Sequence, residues 1–176
     1  MRSLDELLEE AKWGRLKDDE VKYVVERIKA DAGDNENLYT LIHILGRSGS
    51  KQYKKLVEKF LYYPDFPLVS SIALKTLFNY WGFEEEYLDQ LKSFVKGVDW
   101  DRDQDVQLIA ISAAGEYLRN NKNRELHQMI VDVIKEIHPS SDELVNDYNE
   151  ILRECASEAL MRASGKEWNE ILDIKD

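Results

Sequence analysis

Side chains able to do chemistry are thinly spread along this chain, apart from one acidic run. Asp99, Asp101, Asp103 and Asp105 alternate with other residues just after Gly97. Alternating carboxylates are what a calcium loop uses, together with a glycine at the sixth position and a bidentate carboxylate at the twelfth. Counted from Asp99, those positions hold Gln104 and Ala110; counted from Asp101, they hold Val106 and Ser112. The calcium reading fails in both frames, and helix capping within a negative patch accounts for these aspartates better. His43, His127 and His138 lie far apart and form no metal-ligand pair of the kind a helix presents. There is no phosphate-cradling glycine loop and no nucleophile elbow. Paired carboxylates need a cleft and shifted pKa values for acid–base work, so in a chain this acidic no particular pair stands out. No catalytic residue, cofactor or metal ion is expected.

Cys155 is the sole cysteine. No disulfide can form within the chain, which fits a reducing compartment. Between Glu154 and Ala156 it reads as a small core residue. The first residues, Met1-Arg2-Ser3-Leu4-Asp5-Glu6, are acidic where a signal peptide would be apolar, and no apolar run approaches a membrane span. A cytoplasmic protein is expected. The balance of 35 acidic to 24 basic side chains, net charge −11, repels phosphate backbones unless a local basic patch compensates. The densest basic cluster, Lys51, Lys54, Lys55 and Lys59, falls on one amphipathic helix. The acidity serves solubility or a basic partner, and no nucleic acid or membrane partner is expected.

The elements that must position these residues are helices. Gly (8) and Pro (3) are scarce, which favours long helices joined by short connections. At 176 residues and 43% hydrophobic content, the chain suits one domain or one short solenoid and needs no metal or disulfide to fold. One phrase recurs four times, as Leu38/Ile42/Gly46, Val69/Ala73/Leu77, Val106/Ala110/Ala114 and Leu152/Ala156/Leu160. Steps of four keep three positions on one helix face, and small residues there let a neighbouring helix come close. Recurrence at this spacing is what stacked helix pairs produce.

Ser3 and Glu6 predict a capping box on a first helix ended by Gly14. Asp18-Asp19-Glu20 opens a second, closed by Gly33. Helices are predicted from Asn37 to Ser48, from Ser50 through Leu61, from Pro67 to about Trp81, and from Glu84 to Lys96. Further helices are predicted over Asp105 to Asn120 and Lys122 to Ile137, then from a Ser140 or Ser141 cap to Ala163. A short final turn holds Trp168, Ile171 and Leu172. Pro64 and Pro67 make a corner, because each disfavours helix before it.

The phrase resembles the HEAT repeat, in which the second helix of each pair often opens with Asp or Pro, then Val, Ala and Leu-Gly. Asp65, Pro67, Val69, Ala73 and Leu77 carry the resemblance. So do Asp105, Val106, Ala110, Ala113, Ala114 and Gly115, and, near the C-terminus, Leu152, Ala156, Leu160 and Gly165. The first copy is looser, and the arginine that family members often carry after the Val is absent after Val69 and Val106. The resemblance implies an all-α fold, a short right-handed α-α superhelix of about four helix pairs plus terminal helices. Its repeats would span 18–49, 51–82, 84–120 and 122–165 within a single domain of 1–176, with caps at 1–14 and 166–176.

In that family the second helices line the concave side, which here implies a polar ladder that turns acidic toward the C-terminal half. Its candidate partner-binding residues are Lys75, Asn79, Asp105, Ser112, Glu116, Glu154 and Glu158, with Trp100, Asp101 and Asp103 in the acidic connector. An exposed Trp100 would make an interface anchor. Tyr80, Trp81, Phe83 and Tyr87 read mostly as core. Size, acidity and the lack of catalytic motifs are similar to small helical-repeat immunity proteins, including the contact-dependent growth inhibition type. Bacteria make these beside a secreted toxin. The expectation is a non-enzymatic module that occludes a basic, nuclease-like toxin domain. The same fold would serve an adaptor or assembly factor. Some DNA glycosylases for alkylated bases also have HEAT-like repeats, but they resemble longer, basic chains.

Overall fold

The computed structural model describes residues 2–30, 35–137 and 143–165. Gly33, the junction around His138, Pro139, Ser140 and Ser141, and the final turn with Trp168, Ile171 and Leu172 lie outside the described residues. Every regular element among the described residues is helical. These are α1 (Leu4–Lys12), α2 (Asp18–Ala30), α3 (Asn35–Arg47), α4 (Lys54–Glu58), α5 (Pro67–Lys75), α6 (Leu88–Val95), α7 (Asp105–Asn120), α8 (Arg124–Glu136) and α9 (Glu143–Ser164). None is long and apolar enough to cross a membrane. The chain forms two compact units, Met1–Tyr87 and Leu88–Asp176.

In the first unit α1, α2 and α5 all pack against α3. The capping box on α1 is present: the Ser3 backbone N–H donates to Glu6 Oε2 at 2.7 Å and the Glu6 N–H to Ser3 Oγ at 3.3 Å. Gly14 ends that turn at φ +65°, in the left-handed region glycine tolerates. Because α3 meets neighbours on several sides, five of its apolar residues are buried: Leu38, Leu41, Ile42, Ile44 and Leu45. Each such burial stabilises by roughly 1.5–3 kcal/mol.

Two elements of this unit, and the turn that closes it, differ from the sequence expectation. The helix from Ser50 is a 3-10 turn, Lys51–Tyr53, followed by the five-residue α4. Ser50 does not cap it, because its hydroxyl accepts from Ser48 Oγ at 2.9 Å. The helix from Pro67 continues past Lys75 as a π turn, Thr76–Tyr80, in which the Trp81 N–H reaches back five residues to the Thr76 carbonyl at 2.9 Å. That extra residue per turn swings the Trp81 indole inward, where it donates to the Gly46 carbonyl at 3.0 Å. The helix expected from Glu84 begins only at Leu88. Residues 84–87 form a turn tied back to α4, Glu86 pairing with Lys54 and the Tyr87 hydroxyl donating to Glu58.

The second unit is built on α7 and α9, its closest-packed helix pair, with α6 against α7 and α8 against α9. The small residues of the repeated phrase set the approach: a Cβ placed on Gly115 would sit 2.7 Å from the Ala159 Cα. Val106, Ala110, Ala114, Ala156 and Ala159 are all fully buried at this seam.

Candidate binding surfaces

The connector before α7 carries the acidic run. Gln104 turns it at φ +59°, a left-handed conformation that costs a non-glycine residue roughly 1 kcal/mol or more. This fold-back aims Asp101 at the start of α7. Its Oδ2 accepts from the Val106 and Gln107 N–H groups, both at 2.9 Å. Two of the helix's orphan donors are thereby satisfied by a residue several positions upstream. Asp101, expected on the partner face, is therefore corrected to a buried cap, 7% exposed. Asp103 is exposed and Asp105 half-buried. The Asp105 carboxyl is held above the usual range by burial, then by the negative charges of Asp101 and Asp103. Trp100 is half-buried, its ring edge-on to Phe94 at 5.9 Å. It is thus partly packed rather than a free-standing anchor. Among the described residues no group of three His, Cys, Asp or Glu side chains is placed to hold a metal ion.

On α7 and α9 the expected ladder is partly assembled. Arg162 joins two of its members, donating to Ser112 Oγ at 3.3 Å and to Glu158 Oε2 at 3.0 Å. Glu116, Glu154 and Glu158 are exposed. Cys155 is half-buried between the two helices. Its thiol donates to the Leu108 carbonyl at 3.4 Å, and burial pushes its pKa up, so it is a poor nucleophile.

Sequence reasoning missed two exposed apolar residues on α9, Tyr148 at 39% and Ile151 at 49%. Ile151 sits outside the buried Leu152/Ala156/Leu160 stripe, and that phase was the available signal; Tyr148 lies four places before Leu152, in phase with it, so periodicity alone places it in the core. Asp147, Ile151, Glu154 and Glu158 follow at i, i+4, i+7 and i+11, so they share one helix face. Asp147, Glu150 and Glu154 are exposed and make no ion pair among the described residues.

The first unit holds a different surface, also missed. Lys75 and Asn79, expected to bind a partner, are half-buried. Lys75 belongs to a cluster that draws on α3 and the π turn. His43 stacks on Tyr80 with ring centroids 5.9 Å apart and 7° between planes, and its Nε2 lies 3.2 Å from the Tyr80 hydroxyl. The Arg47 guanidinium lies 4.3 Å from the Tyr80 ring centroid and the Lys75 ammonium 5.9 Å from it. His43 is held neutral, its pKa lowered to about 4 by burial first, then by the charges of Arg47, Lys75 and Lys12.

No protein-family model, curated protein or solved structure matches this chain. The α9 face offers apolar anchors beside Asp147, Glu150 and Glu154, which make no ion pair among the described residues. The His43 cluster offers two cations, Arg47 and Lys75, with no ion pair among the described residues, beside an aromatic ring. Neither presents a nucleophile within reach of an activating base.

Proposed function

We propose that this chain is a non-enzymatic protein-binding module of HEAT-like helical-repeat type whose partner is a basic protein. The observation that carries this reading is the exposed face of α9. Tyr148 and Ile151 stand out there beside Asp147, Glu150 and Glu154, none of which is neutralised by a neighbouring cation among the described residues. Apolar anchors in a mainly acidic surround fit a partner whose surface is positive: the anchors supply affinity and the carboxylates steer the encounter. A net charge of −11 adds long-range attraction in the same sense. The burial of the small-residue phrases of α7 and α9 at one seam supports the helical-repeat reading.

The most specific form of this reading is an immunity protein that covers the active-site cleft of a nuclease toxin. Such a cleft is positively charged because it holds nucleic acid, so an acidic module that fits it blocks the enzyme by occlusion alone. The test is association of the purified chain with the basic nuclease domain encoded beside it. The expected result is tight binding that weakens with salt and is lost on combining Ile151→Ala with Glu154→Lys. Absence of binding at low salt rejects the reading. Binding that ignores both salt and these substitutions rejects the α9 face as its seat.

A further inference from the structure

We propose that His43, Arg47, Lys75 and Tyr80 form a binding site for a phosphate-class oxyanion. The site is independent of the α9 face and of any basic partner. It begins with two cations that converge. Several cations in the first unit have a carboxylate at hand: Arg2 pairs with Glu10 and Glu20, Lys12 with Glu9, Arg15 with Glu10, Lys29 with Glu26, Lys54 with Glu58 and Glu86, and Lys55 with Glu58. Arg47 and Lys75 have none among the described residues, although acidic side chains outnumber basic ones 35 to 24 in the chain. They come from different helices, yet both lie within cation–π range of one ring, Tyr80. Two cations drawn to one point suit an oxyanion, with the guanidinium suited to paired oxygens and the ammonium to a point charge.

The site is built rather than accidental. The Tyr80 ring is set by the π turn, a feature that often marks functional positions. A Cβ on Gly46 would come within 2.8 Å of Tyr80 Cδ2, so α3 can meet this turn only with glycine there. The Tyr80 hydroxyl and His43 Nε2 are 3.2 Å apart, and Arg47 Nε lies 3.5 Å from the same nitrogen. Tyr39 meets the His43 ring from the side, with centroids 6.2 Å apart. The charges that bear on His43 are Arg47 from its own helix, Lys75 from α5 and Lys12 from α1; no carboxylate is among them. An arriving oxyanion supplies the missing negative charge, so it must ease protonation of His43. By linkage, protonated His43 must in turn bind the anion more tightly.

The His43 ring can be followed by NMR through a pH titration of the full chain, without additive, with inorganic phosphate, with phosphoserine, and with chloride at matched ionic strength. The expected result is a midpoint near 4 that rises by about one unit with phosphate, equivalent to about tenfold tighter binding to the protonated form, and that moves far less with chloride. A response to phosphoserine as well as to inorganic phosphate places the site open enough for an esterified group; a response to inorganic phosphate alone marks it as a free-anion site. Arg47→Gln and Lys75→Gln should each weaken the phosphate response while leaving the thermal midpoint close to wild type. An equal response to chloride and phosphate overturns the proposal, as does an undiminished phosphate response in the folded Arg47→Gln, Lys75→Gln double variant.

Discussion

The indole nitrogen of Trp81 donates to the carbonyl oxygen of Gly46 at 3.0 Å, inside the buried contact between the π turn and α3. The same carbonyl also accepts from the Gly49 N–H at 3.2 Å, so it would keep one partner if the indole were lost. Trp81→Phe should therefore cost about 1 kcal/mol for the hydrogen bond and a further ~1 kcal/mol for the volume left behind. A fall of about 2 kcal/mol in unfolding free energy, measured by urea titration, is expected. No change would mean that the indole does not hold the two helices together.

Gly115 faces the Ala159 backbone, where an added methyl would sit 2.7 Å from Cα. Alanine in a helix interior is ordinarily better than glycine by about 1 kcal/mol. Here the neighbour is main chain and cannot rotate aside, so overpacking of roughly 1–3 kcal/mol outweighs the gain. Gly115→Ala should lower the urea midpoint. A raised midpoint would show that α7 and α9 can move apart freely.

Two substitutions in the connector before α7 should act in opposite directions. Asp101→Ala removes the acceptor shared by the Val106 and Gln107 amides and should cost about 1–2 kcal/mol. Gln104→Gly relieves a left-handed φ of +59° and deletes a buried side-chain oxygen, Oε1, that has no partner. It should stabilise by about 0.5–1 kcal/mol. Thermal unfolding of both variants checks the pair. Equal destabilisation by both would refute the strain at Gln104.

His43 makes stability depend on pH. Its pKa falls from 6.5 to about 4 on folding, so the unfolded chain binds more protons between those values. The stability it confers is complete above pH 6.5 and drains away as pH drops toward about 4. The ring is half-buried, so solvent screening reduces the effect to about 1–2 kcal/mol. His43→Gln should flatten the difference in stability between pH 7 and pH 4.5 relative to wild type. A parallel profile for the two proteins would contradict the depressed value.

The helical character of the chain and the burial of the repeated phrase were legible because apolar residues at steps of four leave a strong periodic signal. Leu152, Ala156 and Leu160 are buried as that period requires. Asp101 was legible as a capping residue by type, but its inward turn depends on the left-handed Gln104, and no propensity points to that conformation in a glutamine. The α4 region misled because Lys51, Lys54, Leu56, Val57 and Phe60 have an amphipathic order whether or not a long helix forms. There the tie from Tyr87 to Glu58 and the serine pair at 48 and 50 decided the outcome. The His43 cluster was invisible because its members are separated by up to 37 residues and meet only through the π turn.

The placement of α3 against α1, α2 and α5 bears on how the first unit breathes. Its amides cannot reach water by fraying of one neighbour alone, so hydrogen exchange along Leu41–Leu45 should report cooperative opening of that whole unit. Exchange in the short α4 should instead be fast and local.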